Sequence, residues 1–148
     1  MKKKLKNLVK SFSELCYRNK LCISGKEVLE NAILGVDNLN EKIIITSYNS
    51  LKVQKQIFSI KQISRCFIKK VYRKIDAGDL KYKSLDEFVD KVILQIERTN
   101  VKEITEVTFY DKNKSIKSTL SSLEWKARVW AGYISNRNER LEVSECSS

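Results

Sequence analysis

The chain has 148 residues, 42% of them hydrophobic and 32% charged, and a net charge of +11. That length suits one domain that buries most of its unfolded surface without disulfide or metal staples. With no histidine, Ser-His-Asp and Cys-His catalysis and any histidine-ligated metal are excluded, and no apolar run is long enough to form a membrane-spanning helix.

The positive charge is regional. Residues 1–83 hold 19 cations and 7 acids, whereas residues 84–148 hold 10 and 11. Such asymmetry fits a binding surface better than a general solubility device.

In chain order, Leu5, Leu8, Val9, Phe12, Leu15 and Cys16 keep helical spacing, and the pattern predicts a helix over about 3–18. Lys2, Lys3, Lys4, Lys6 and Lys10 on this helix would suit a phosphate-tracking arm or a membrane-surface helix. The reading adopted is that the apolar side docks on the domain and the lysines are solvated. Ser24-x-x-Glu27 is a capping-box pattern and predicts a short helix to about Leu34. Ile43-Ile44-Ile45-Thr46 is β-branched throughout and predicts a strand.

The most informative stretch lies between Asn49 and Ile75, where eight cations occur without one carboxylate. Lys52, Lys55, Lys61, Arg65, Lys69, Lys70, Arg73 and Lys74 alternate with Val53, Ile57, Ile60, Ser64, Phe67, Ile68, Val71 and Ile75. At 100° per residue the second set makes one helical stripe, so a basic helical region is predicted over about 50–75. Surface helices usually intersperse Glu with Lys for i,i+4 pairing. A segment that forgoes those pairs is suited to a polyanion that relieves its repulsion. A helix-turn-helix can be sketched on Leu51–Phe58 and Lys61–Lys74, but its turn lacks glycine and its core spacing is short.

Ser84-x-x-Glu87 predicts a helix to about Arg98 that buries Phe88, Val89, Val92, Ile93 and Ile96. From Val101 the period becomes two, predicting a β-hairpin over about 101–120. Ser121-x-x-Glu124 opens a last helix carrying Trp125, Val129, Trp130, Tyr133 and Ile134, and the tail over about 141–148 should fray. Residues 84–140 thus form a near-neutral helix–hairpin–helix part. The expected fold is α+β: a mostly helical single domain over 1–148 with a small antiparallel sheet and a C-terminal helix.

The functional expectation is a small non-enzymatic, cytoplasmic, regulatory nucleic-acid-binding protein, with DNA favoured over RNA, touching phosphates through the eight cations. Tyr48 and Tyr72 are candidate base-stacking rings beside those cations. Trp125 and Trp130 are candidate anchors for a protein partner. An alternative is an inhibitor or adaptor of phage or plasmid type that docks on nucleic-acid machinery, and a third is a ribonuclease-like toxin without histidine. Cys16, Cys22, Cys66 and Cys146 match no zinc or redox spacing. They read as reduced thiols, with Cys16 and Cys66 packed as small hydrophobes. Asp111 with Glu124-x-Lys126 mimics a nuclease metal motif, but helix capping accounts for Glu124. No metal, cofactor or membrane partner is expected.

Overall fold

The computed structural model describes residues 2–115 and 119–147, with side chains for 3–115 and 119–136. Helix α1 (Lys2–Arg18) precedes seven strands: β1 (Gly25–Val28), β2 (Ala32–Asp37), β3 (Lys42–Asn49), β4 (Lys52–Ser59), β5 (Ile63–Tyr72), β6 (Val89–Arg98) and β7 (Thr105–Asp111). A one-turn helix α2 (Asp79–Tyr82) follows β5, and α3 (Leu120–Ser147) ends the chain. The strands form two antiparallel meanders, β1-β2-β3-β4 and β5-β6-β7. The expected mostly helical fold is therefore overturned, because this is mostly a sheet protein.

Three predicted helices are strands. The 24–34 segment is β1 and β2, 84–98 is a single 3-10 turn (Leu85–Phe88) followed by β6, and the basic stretch is β4, another 3-10 turn (Ile60–Gln62) and β5. The helix-turn-helix sketched there does not form. Instead Ser59 Oγ accepts from Lys61 N and Gln62 Oε1 accepts from Ser59 N, which tightens the corner where the chain passes between sheets. Val53, Ile57, Phe58, Ile63, Phe67, Ile68 and Val71 are the β-branched and aromatic residues that suit a pleated, half-buried surface. β6 is the middle strand of its sheet, so apolar residues occur on both its faces. Val92, Leu94 and Ile96 enter the main core while Ile93 faces outward. Of the hairpin expected over 101–120, β7 is present and pairs with β6, and residues 116–118 lie outside the described residues.

The inner faces of the two sheets enclose the main core, which includes Leu34, Ile43, Ile45, Phe58, Val92, Leu94, Ile96 and Val107. A second cluster lies outside the four-stranded sheet, where Leu8 and Phe12 of α1 cover Ile33 and Ile44. Gly35 makes that docking possible, since a Cβ there would sit 2.5 Å from Phe12 Cζ. Gly35→Ala is expected to cost about 1–3 kcal/mol by overpacking. A lowered urea midpoint, partly recovered in a Gly35→Ala/Phe12→Leu double variant, would verify the contact. Buried Asp37, at the end of β2, ties the linker after α1 to the next turn. Its carboxylate accepts from Cys22 N (2.9 Å), Asn40 N (3.0 Å) and Asn40 Nδ2 (2.7 Å). Burial pushes its pKa up, but these hydrogen bonds prevail and hold it below its ordinary value.

Helix α3 packs across β5, β6 and β7, and its side chains bridge the seam from β1 to β5. Ala127, Trp130 and Ile134 enter the main core. Glu27 of β1 pairs with Lys126 (3.4 Å) and accepts from Trp130 Nε1 (3.3 Å). Across the seam, Lys70 of β5 pairs with Glu124 at 2.7 Å, and Ser135 Oγ donates to Cys66 O. The capping boxes read in the sequence serve other ends. Ser24 Oγ accepts from Asn38 N, Glu27 and Glu124 are seam residues, and Ser84 makes no side-chain cap. The backbone of the stretch expected to fray is helical to Ser147.

Candidate polyanion-binding surface

Folding the basic stretch into strands disperses its cations, because successive side chains on a strand point to opposite faces. Lys69 and Lys70 show the consequence. Lys69 is exposed on the outer face of β5, whereas Lys70 turns inward to Glu124 with its side chain only 22% exposed. Arg65 lies on the outer face with Lys69, over the Phe67 ring and 3.8 Å from Glu97. Arg73 stacks on Phe88, and Lys74 pairs with Asp76 at 3.8 Å. Lys61 sits on the 3-10 turn between the sheets. Lys52 and Lys55 belong to β4, on the other sheet. The eight cations therefore do not make one face.

A different grouping arises around α1. Lys55 pairs with Thr46 and is flanked by Val53 and Ile57, both packed against the α1 cluster. Its side chain thus projects on the side of the sheet that α1 covers. At the hairpin tip Lys52 and Leu51 are exposed, and strand alternation turns Lys52 to the face of β4 opposite that of Lys55. Lys4 Nζ lies 4.9 Å from the ring centroid of Tyr48, which brings the start of α1 to this tip. With Leu8 and Phe12 pointing at the sheet, helical geometry turns Lys3, Lys6 and Lys10 to the opposite side, spaced by about 4.5 and 6 Å along the axis. Leu5 and Val9, read as part of the docking face, are 39% and 42% exposed beside that row.

None of Lys3, Lys6, Lys10, Lys52 and Lys55 has a carboxylate within ion-pair distance among the described residues. Glu14 is the single acid on α1, and the first turn has none. Lysines at a helix N-terminus add to the positive end of the macrodipole, so this end of α1 repels itself until an anion approaches. The sequence offered the lysine spacing on α1 but gave no sign that β4 would lie beside it.

The remaining predicted residues are separated. Tyr48 is half-buried under Lys4, while Tyr72 is 38% exposed at the end of β5. Trp130 is a core residue, and Trp125 is exposed on α3 near exposed Val129. Asp111 Oδ1 accepts from Asn113 N, and Glu124 is held by Lys70 and Arg128, so the two carboxylates serve different local networks. Cys66 packs on the main core and burial pushes its thiol up to about 12. Cys16 packs on the α1 cluster and is raised chiefly by burial. Cys22 is exposed, and the side chain of Cys146 is outside the described residues.

Comparison with family models, with curated proteins and with solved structures finds no match for this chain. No helix among the described residues is long and apolar enough to cross a membrane.

Proposed function

We propose that this chain is a small, non-enzymatic, cytosolic nucleic-acid-binding protein, with DNA favoured over RNA, that grips phosphates through the α1–β4 surface. The observation that carries this reading is the set Lys3, Lys6, Lys10, Lys52 and Lys55, on α1 and on β4 beside it, none with a carboxylate partner among the described residues. Cations elsewhere are often internally neutralised, as with Lys70, Lys126 and Arg128 at the α3 seam. A phosphate backbone supplies the missing counter-charges and relieves the repulsion at the start of α1. No base-reading contact is part of the proposal, so binding is independent of sequence. A mobility-shift titration of duplex DNA, single-stranded DNA and structured RNA at two salt concentrations tests it. Binding to unrelated sequences, lost on raising salt, is expected, and no binding at low salt would refute it. A second reading, docking on a protein of nucleic-acid machinery, draws on Trp125 and Val129, which lie one helical turn apart and are 68% and 50% exposed.

A further inference from the structure

The turn that joins β3 to β4 departs from local rules at both of its residues. Asn49 pairs with Lys52, so Ser50 and Leu51 alone make the connection. Ser50 takes φ 61°, in the left-handed region that hairpin turns usually give to Gly, Asn or Asp. Leu51 is 95% exposed and belongs to neither core cluster. Neither turn chemistry nor packing calls for a leucine there, and such inconsistencies are expected at functional sites. Exposure alone means little, since Leu39 in the turn between β2 and β3 is exposed as well. The surroundings distinguish the two. Leu39 lies between Asp37 and Glu41, whereas neither strand of the β3–β4 hairpin carries an acid. Lys52 and Lys55 follow Leu51 on opposite faces of β4, and Lys4 reaches the ring of Tyr48, two residues before the turn.

We propose that Leu51 is a wedge that enters the minor groove of duplex DNA and unstacks one base step. This wedge presupposes that the α1–β4 surface grips phosphates, and it sets what the hairpin tip does once that grip is made. A groove about 6 Å wide admits the two-residue tip but not the ribbon behind it. Lys52 and Lys55, on the two faces of β4, then approach the phosphates on either side of the groove. Leucine is among the apolar side chains that wedge between base steps, and such insertion kinks the duplex by about 20–90°. An apolar wedge reads no base edge, so the kink is compatible with binding that is independent of sequence. It favours steps that unstack at least cost, such as pyrimidine–purine steps and mismatches.

Energy transfer between dyes at the two ends of a short duplex, titrated with the full chain at low salt, tests this. The parent should raise transfer as it saturates the DNA. It should also bind a duplex with a central mismatch several-fold more tightly than the matched one. Leu51→Ala should keep the parental circular dichroism and still bind, but leave transfer at the free-duplex value and lose the preference for the mismatch. Leu39→Ala should behave as the parent does. Saturable binding by the parent with no rise in transfer, or bending by Leu51→Ala equal to the parent's, would overturn the wedge and leave the phosphate grip standing. Equal losses of bending in the two leucine variants would also overturn it. No binding at low salt would overturn both the wedge and the grip.

Discussion

Replacing Lys3, Lys6, Lys10, Lys52 and Lys55 together by Glu is expected to abolish nucleic-acid binding while leaving the fold in place. Five phosphate contacts at about 0.9 released counterions each make affinity vary as roughly the −4.5 power of salt, or about 500-fold between 50 and 200 mM. Reversal replaces each attraction by a repulsion, so the loss at moderate salt should exceed about 1,000-fold. The fold tolerates the change because none of the five has a carboxylate partner among the described residues. Glu at the start of α1 also complements the helix dipole that Lys opposes. Reversal of Arg65 and Lys69, on the outer face of β5, should alter affinity far less. Fluorescence anisotropy with a labelled duplex measures both sets. Equal losses from the two would mean that the binding face is misplaced.

The second large effect concerns Lys70. Lys70→Glu would set two carboxylates at the distance where Lys70 and Glu124 now pair, 2.7 Å apart and about one-fifth exposed on each side chain. Breaking such a pair and leaving its partner opposed costs about 3 kcal/mol, or roughly 10 °C in Tm for a domain of this size. Lys70→Met with Glu124→Gln removes both charges together and should be much milder. Burial raises the Glu124 carboxyl, but its bonds to Lys70 and Arg128 outweigh this and hold it below its ordinary value. A carboxylate depressed in the folded state contributes stability that is present above its unfolded pKa and lost as pH falls through the folded one. Stability should therefore decline below about pH 4, the ordinary carboxylate range, and Glu124→Gln should flatten that decline. Urea titrations at neutral and acid pH measure it. A Lys70→Glu variant as stable as the parent would mean that the seam pair does not hold α3.

These two variants show where sequence patterns succeed and fail in this chain. On a helix, Lys69, Lys70, Arg73 and Lys74 would share a solvated side, and reversing all four would test binding alone. On a strand, Lys70 is a structural residue, so that variant would confuse lost binding with lost folding. The apolar stripe from Val53 to Ile75 satisfies a helical period, yet the same residues alternate across two edge strands. Short apolar runs permit both readings. β6 misled similarly, because burial on both faces of a central strand removes the alternation that marks a half-exposed one.

Turn signals were also hidden. The chain has no proline and four glycines, and its tight connections use Lys20, Glu41, Ser50 and Asn100 at positive φ. Without the usual Gly or Pro punctuation, the hairpin at Ser50 and Leu51 was invisible, and β4 ran into the neighbouring pattern. Where a helix had a one-sided apolar face, as on α1 with Leu8 and Phe12, the period was legible. So was the strand at Ile43–Thr46. The cation excess was legible from composition, but the face it occupies depends on a sheet that the sequence did not announce.

The salt dependence of affinity for a generic DNA duplex bears most directly on the proposed function. It should be measured with the full chain over a series of monovalent salt concentrations. Engagement of Lys3, Lys6, Lys10, Lys52 and Lys55 predicts that log affinity falls linearly with log salt, with a slope of about −4.5 for duplex DNA. A slope near zero, or no binding at low salt, would contradict the proposal that this surface grips phosphates.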